Sequence, residues 1–366
     1  HSKYNNKICD NKMTFQDCEL AIIRHATDEN EKLQGEEMVR SDDIKQIIKI
    51  LEEFIIRKKV ICYGGIAINN ILPKNAQFYN KSNELPDYDF FSPNAMDDAK
   101  ELSDIYYSKG YTEVEAKSGI HIGTYKVFVN YLPIADITFL EPELFEMLKK
   151  DAIEIAGINY TPPDFLRMSI YLEFSRPAGD VSRWEKIYKR LKLLNKYYPF
   201  SDKIKCNLFT TFHVSREGMN KKKDNEDLFF LVRDSLIQQG VVFFGIYATS
   251  LYKQYDNKED KIYWKIPEFD VLSEDPEITA LIIKDLLVKK GYNNIKEIHN
   301  ENIGEIIPSN IEIMVDNLSV VKIYYTIACH NYNTITLGNQ EIHVATIDTI
   351  LSFYLAFLYT NKNEEY

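Results

Sequence analysis

The sequence predicts an α+β chain of two tandem domains built on one plan, and three observations predict it. An apolar strand from Val60 to Tyr63 runs into Gly64-Gly65 and a short helix, and a second strand follows with Asp87 and Asp89. The same arrangement returns later, where Val241 to Ile246 echoes Val60 to Gly65 and Pro267 to Ser273 echoes Pro86 to Ser92. A separation of 181 residues relates Gly64 to Gly245, Asp89 to Asp270 and Gly110 to Gly291, and a register held across three landmarks is an internal repeat. The length of 366 residues and hydrophobic content of 45% suit two domains with sizeable cores.

Taken in order, residues 1–40 read as a polar, partly helical extension to which no function attaches. Residues 41–200 form the first domain with a helical segment, and residues 201–366 form the second. Ser41 is placed as an N-cap, Asp42 and Asp43 occupy a first turn, and Ile44, Ile47, Ile48, Leu51, Phe54 and Ile55 recur at helical spacing up to Arg57-Lys58-Lys59. Ser92 to Lys109 reads as a second amphipathic helix ended by Gly110. Strands from Tyr111 to Ala116 and from Thr124 to Tyr131 follow, and the loop between them carries Lys117, Ser118, Gly119 and Gly123 without the residue order of a P-loop. Leu132 to Phe139 is an apolar strand interrupted by Asp136. Helices are expected over Asp164 to Phe174 and Val181 to Tyr197, and Ile347 to Tyr359 reads as a core helix.

The chemistry concentrates around the first glycine turn. Alternate side chains of a strand share a face, so Asp87 and Asp89 stand together, and two like charges at that spacing repel. A hard divalent cation such as Mg²⁺ resolves that repulsion and leaves room for phosphate oxygens, while Gly64 and Gly65 let backbone N–H groups approach a triphosphate. Asp136 supplies the third carboxylate that a two-metal phosphoryl-transfer site needs, and burying it without a partner would be costly.

In the second copy the corresponding strand, Leu318 to Ile323, aligns with Leu132 to Ile137 after a small insertion, since 186 residues separate Lys322 from Asp136. Asp270 is retained, but Glu268 stands for Asp87, Ile246 for Gly65 and Lys322 for Asp136. A lysine there neutralises the acids and takes the place of a metal, so the second copy is expected to be catalytically degenerate.

Three blocks carry a family resemblance: Tyr63 to Pro73 (Y-G-G-I-A-I-N-N-I-L-P), Pro86 to Pro93 (P-D-Y-D-F-F-S-P) and Ser175 to Leu191 (S-R-P-A-G-D-V-S-R-W-E-K-I-Y-K-R-L). Together they resemble the DNA polymerase β-type nucleotidyltransferases and, more narrowly, the poly(A) polymerase catalytic subunits of giant viruses and more distantly of poxviruses. The resemblance implies tandem nucleotidyltransferase domains, the first active, that add AMP from ATP to RNA 3′ ends as mRNA poly(A) tails. It implies Asp87, Asp89 and Asp136 as catalytic metal ligands for Mg²⁺, with Mn²⁺ as a substitute, and Gly64 and Gly65 at the nucleotide. Arg183, Lys186 and Arg190 line one helical face with Lys189 close by, ordinarily a solvated basic row, and the resemblance makes Arg183 and Lys186, together with Arg176, candidates for triphosphate or RNA-backbone contact. A homodimer, and a viral protein of the host cytoplasm or the virion, are implied in the same way.

Other members of the superfamily use the same acids on tRNA, oligoadenylate or protein acceptors, and a non-catalytic RNA-binding subunit is a further alternative. The net charge of −11 excludes a broadly basic nucleic-acid coat, so any RNA footprint must be short and local. Cys9, Cys18, Cys62, Cys206 and Cys329 are odd in number and scattered without a C-x-x-C pair, which indicates neither a zinc site nor a disulfide framework and suits a reducing compartment. The seven histidines show no metallohydrolase or deaminase spacing. No apolar run is long enough to cross a bilayer, no signal peptide is visible, and no membrane partner is expected.

Overall fold

The computed structural model describes residues 8–9, 13–79, 85–120, 123–176, 179–200, 222–253, 268–304, 306–326 and 329–359. Cys206 and Pro267 lie outside the described residues, as does part of the Ser175 to Leu191 block. A long helix α1 (Phe15–Arg40) precedes α2 (Asp42–Lys58), whose apolar stripe buries Ile44, Ile47, Ile50, Leu51, Phe54 and Ile55. Ser41 occupies the N-cap position of α2 without a side-chain capping bond. Next come β1 (Ile61–Tyr63), α3 (Gly64–Ile71), β2 (Tyr88–Ser92), α4 (Ala95–Ser108), the hairpin β3 (Val114–Ser118) and β4 (Thr124–Val129), and β5 (Leu132–Phe139). The helix α5 (Pro142–Lys150) leads to a small hairpin, β6 (Ile153–Ile155) and β7 (Ile158–Tyr160), then to α6 (Pro163–Phe174) and α7 (Trp184–Tyr197).

The second half repeats the first. Its elements are α8 (Lys222–Gln238), β8 (Val242–Phe244), α9 (Gly245–Lys253), β9 (Phe269–Ser273) and α10 (Pro276–Lys289), then β10 (Ile295–Asn300), β11 (Asn310–Val315) and β12 (Leu318–Tyr325), and last β13 (Tyr332–Leu337), β14 (Gln340–Ala345) and α11 (Ile347–Phe357). Each half builds a seven-stranded mixed sheet, ordered β3-β4-β5-β2-β1-β7-β6 in the first and β10-β11-β12-β9-β8-β14-β13 in the second. The correspondence reaches the irregularities. Both sheets carry a register shift at the same point, between Val127 and Phe128 and between Ile313 and Met314. Both hairpins that follow turn through two left-handed residues, Asn130 and Tyr131 in one and Asp316 and Asn317 in the other. Positive φ at both central residues matches the right-handed twist of the flanking strands, which is why the turn survives with Tyr131 in it.

Packing divides the chain into two compact units, one of His1–Leu140 with Lys149–Thr161 and one of Glu141–Leu148 with Pro162–Tyr366. The helices over 163–197, grouped in the sequence reading with residues 41–200, therefore pack with the second sheet's unit. Within that unit α6 lies on α11, burying Phe165, Leu166, Met168 and Ile170, and Phe165 meets Tyr359 edge-on at 5.2 Å. The cysteine reading needs correction as well. Cys9 and Cys18, the latter in the first turn of α1, form a disulfide with their Cα atoms 5.3 Å apart. Cys62 is buried and Cys329 is exposed, both as free thiols. No helix among the described residues is long and apolar enough to cross a membrane.

The repeat supplies its own control for one strained position. Lys59 ends α2 in a left-handed conformation with φ 52°, where the second copy has Gly240 at φ 70°. A side chain at positive φ costs energy that glycine does not pay, partly offset by the extra freedom of a glycine in the unfolded chain. Lys59→Gly is expected to stabilise the protein by about 0.5–1 kcal/mol, seen as a higher urea midpoint at unchanged slope.

Candidate active site

The position of each acid follows from strand pairing. β2 and β5 are parallel neighbours, and their register sets Asp89 directly beside Asp136. In-register neighbours put their side chains on the same face, so the two carboxylates share one side of the sheet. On the other flank of β2, antiparallel β1 pairs Tyr63 with Asp89, and Gly64 follows at once. On the far flank of β5, β4 pairs Lys126 with Asp136, and β3 pairs Lys117 with Lys126. One face of the sheet thus carries a cross-strand row of Lys117, Lys126, Asp136, Asp89 and Tyr63. Asp87 lies just before β2 rather than inside it and is exposed, a departure from the expected strand position.

Three contacts define the row. The Lys126 ammonium donates to Asp136 Oδ2 in a short ion pair, with the lysine side chain 35% exposed and the aspartate 20%. Gly64 has φ +69°, and a Cβ added there would stand 2.6 Å from Asp89 Oδ2. Only a residue without a side chain allows the turn and the carboxylate to approach so closely. The Tyr63 hydroxyl bonds to Thr138 Oγ1 at 2.8 Å, and Thr138 Oγ1 meets Thr124 Oγ1 at 2.9 Å. Burial first, then the charge of Asp89, with smaller pushes from Asp136 and Asp87, drives the Tyr63 phenol far above its ordinary range, and the Thr138 bond offsets only part of this. All three expected acids therefore act electrostatically on one phenol, which stays protonated.

These residues suit a hard divalent cation in type. Two carboxylates stand in register beside a glycine turn, and like charges directly opposite one another destabilise a sheet unless a cation intervenes. Among the described residues no three His, Cys, Asp or Glu side chains are gathered as a ready metal shell. The cation that Asp136 meets is Lys126.

The second sheet holds the same row with its charges rearranged. Register gives Ile298, Glu312, Lys322, Asp270 and Phe244 across β10, β11, β12, β9 and β8. Lys322 and Asp270 are buried, at 7% and 8% exposure. Gly245 keeps the tight turn, with φ +76° and a would-be Cβ 2.4 Å from Asp270 Oδ2. Phe244, in the place of Tyr63, stacks on Phe353 at 4.4 Å. Lys126 and Glu312 were missed in the sequence reading, although the signal was available: they are separated by the same 186 residues that relate Asp136 to Lys322.

The basic candidates Arg176, Arg183 and Lys186 lie in the second unit. Arg176 follows α6. Arg183 closes a short 3₁₀ turn before α7, with its Nε 4.0 Å from Glu173, and Lys186 is exposed on α7. Lys189, on the same helix, pairs with Glu185 at 2.6 Å. The geometry alone assigns this face no ligand.

Comparison with known proteins adds an independent line. Residues 49–180 match the poly(A) polymerase catalytic subunit family. That span takes in Gly64, Gly65, Asp87, Asp89, Asp136 and Arg176, and it stops short of Arg183 and Lys186. A protein of African swine fever virus carried under the name of a poly(A) polymerase catalytic subunit is 36% identical over 163 residues, covering 43% of this chain and 34% of its own length. One from Acanthamoeba polyphaga mimivirus under the same name is 37% identical over 165 residues, covering 43% of this chain and 27% of its own. The chain thus spans about a third or less of the length of these viral relatives. The crystal structure of the Megavirus polyadenylate synthase superposes with a TM-score of 0.76 over 97% of this chain and 74% of that one, at 22% identity, which establishes a shared fold. The resemblance to viral poly(A) polymerases is therefore real in sequence over the first sheet and in fold over both.

The close approach at Gly64 can be tested by a cycle of variants. Gly64→Ala is expected to destabilise the protein by about 1–2 kcal/mol, from positive φ together with the clash on Asp89. In an Asp89→Ala background the same change should cost measurably less, because the clashing carboxylate is gone. Urea unfolding of the four proteins measures both numbers.

Proposed function

We propose that this chain is a template-independent polynucleotide adenylyltransferase that adds AMP from ATP to the 3′-hydroxyl of RNA. The observation that carries the reading is the pairing of Asp89 with Asp136 beside Gly64, inside the span that matches the poly(A) polymerase catalytic subunit family. Asp87, Asp89 and Asp136 would hold Mg²⁺, which when bound neutralises charge developing on the phosphates. Asp136 is the proposed proton acceptor for the RNA 3′-hydroxyl. The new bond joins O3′ to the α-phosphorus, the bond from that phosphorus to the bridging oxygen breaks, pyrophosphate departs, and the hydroxyl proton goes to Asp136. Gly64 and Gly65 open α3, so their N–H groups belong to the unpaired donors of a helix start and suit phosphate oxygens.

The second copy is read as a degenerate nucleotidyltransferase unit. Asp270 remains, but Lys322 stands beside it where the first sheet has Asp136. Assignment of Arg176, Arg183 and Lys186 to phosphate contact, self-association as a homodimer, and a place in the host cytoplasm or virion rest on the resemblance alone.

Extension of a labelled RNA oligonucleotide with each nucleotide singly, with and without Mg²⁺, tests the reading. ATP should give ladders that Asp87→Ala and Asp136→Ala lower by at least about 10²-fold, while Asp270→Ala leaves them intact. Ladders that persist in Asp136→Ala, or an untouched RNA with ATP turned over on another acceptor, would overturn it.

A further inference from the structure

The row of side chains on the first sheet contains a residue that the proposed chemistry does not use. Lys126 faces Asp136 across the β4 and β5 pair and is bonded to it, and it sits where a cation would otherwise meet that carboxylate. The charges along the row are segregated: Lys117 and Lys126 are neighbours at one end, and Asp136 and Asp89 are neighbours at the other. Like charges side by side are unfavourable, and the Lys126 to Asp136 contact relieves only the middle of the row. Lys117 is turned to other partners, Glu115 at 3.1 Å and the ring of Phe128 at 4.3 Å.

The second sheet shows the arrangement that needs no added cation. Its row reads Ile298, Glu312, Lys322, Asp270 and Phe244, so that acid, base and acid alternate between two apolar ends. Both copies therefore set a lysine next to an aspartate in the middle of the row. In the second it belongs to the central strand itself and is buried, at 7% exposure. In the first it arrives from the neighbouring strand on a side chain 35% exposed, a placement from which it can swing away.

Resting on the reading that Asp87, Asp89 and Asp136 hold a divalent metal, we propose that Lys126 is a positioning residue that holds Asp136 in competition with the metal and is released when the metal binds. The ammonium keeps the carboxylate aimed along the sheet face and sets the affinity of the site. Replacing it by an uncharged chain of similar length removes the competitor and leaves the acids in place.

The test uses Mn²⁺ alone, without nucleotide or RNA, titrated into the full chain at fixed pH with free Mn²⁺ read by electron paramagnetic resonance. Lys126→Met is expected to bind about fivefold more tightly than the unaltered protein, the loss of one partly exposed ion pair. Lys126→Arg keeps the charge and is expected to stay near the original affinity. Asp89→Asn should abolish the site, and this sets the reference for which Mn²⁺ is counted. If Lys126→Met binds Mn²⁺ with unchanged or weaker affinity while the site still depends on Asp89, the competition is overturned and the metal reading survives. If no Asp89-dependent Mn²⁺ is found in either protein, both fall. A lower unfolding temperature in Lys126→Met at unchanged Mn²⁺ affinity would mark the ion pair as structural only and would likewise overturn the competition.

Discussion

Two carboxylates forced side by side by a parallel strand pair are the constraint on which the first unit depends. Asp89 and Asp136 cannot be separated without breaking the β2 and β5 register, because sliding either strand by one residue turns its apolar set outward. Phe90, Ala135 and Ile137 are buried by that register, each at 1% exposure or less. Core packing thus fixes the acids, and their repulsion must be met by whatever surrounds them. Around them the sequence places a glycine that can approach without a side chain, a protonated tyrosine bonded to Thr138, whose hydroxyl also meets Thr124, and a lysine from the next strand.

The second unit meets the same constraint by another route. It keeps the sheet order, the register shift and the left-handed turn, so the fold does not require a carboxylate at the Asp136 position. With Lys322 there the charges alternate, Lys322 and Asp270 are buried, and Phe244 closes the end where Tyr63 stands in the first copy, within an aromatic cluster with Tyr324 and Phe353. Burying an ion pair is not in itself a large gain over packed apolar side chains. The pair nonetheless sits where the first copy has its two carboxylates, and Gly245 makes the same close approach to Asp270 that Gly64 makes to Asp89.

Much of this was legible in the sequence because repeats announce themselves by register. The constant offset across Gly64, Asp89 and Gly110 revealed the two-copy plan and placed Asp270 on its strand, and the apolar strand match after a small insertion placed Lys322. What escaped has physical reasons. The boundary near residue 200 followed chain order, whereas α6 packs by its apolar face against α11, a partner far along the sequence. The disulfide of Cys9 and Cys18 depends on the distance between their Cα atoms, which no spacing rule encodes. Tyr131 lies beyond the end of its strand because a tyrosine gives no sign of the left-handed conformation that the hairpin imposes on it.

Lys126 was overlooked for a different reason, and it shows how charge should be read in such sheets. On a strand that alternates polar and apolar residues, a lone lysine looks like part of a solvated face, and only its partner across the ladder gives it meaning. Pairing converts one sequence into rows that run perpendicular to the strands, and electrostatics acts along those rows. Read that way, Glu312 and Lys322 are one exchange, because acid and base have traded places across a ladder rung that is otherwise unchanged. A single Asp-to-Lys change beside Asp136's original lysine would have set two ammonium groups opposite each other. Glu312 in the Lys126 position removes that repulsion, so the lysine on β12 has its electrostatic counterpart on the neighbouring strand.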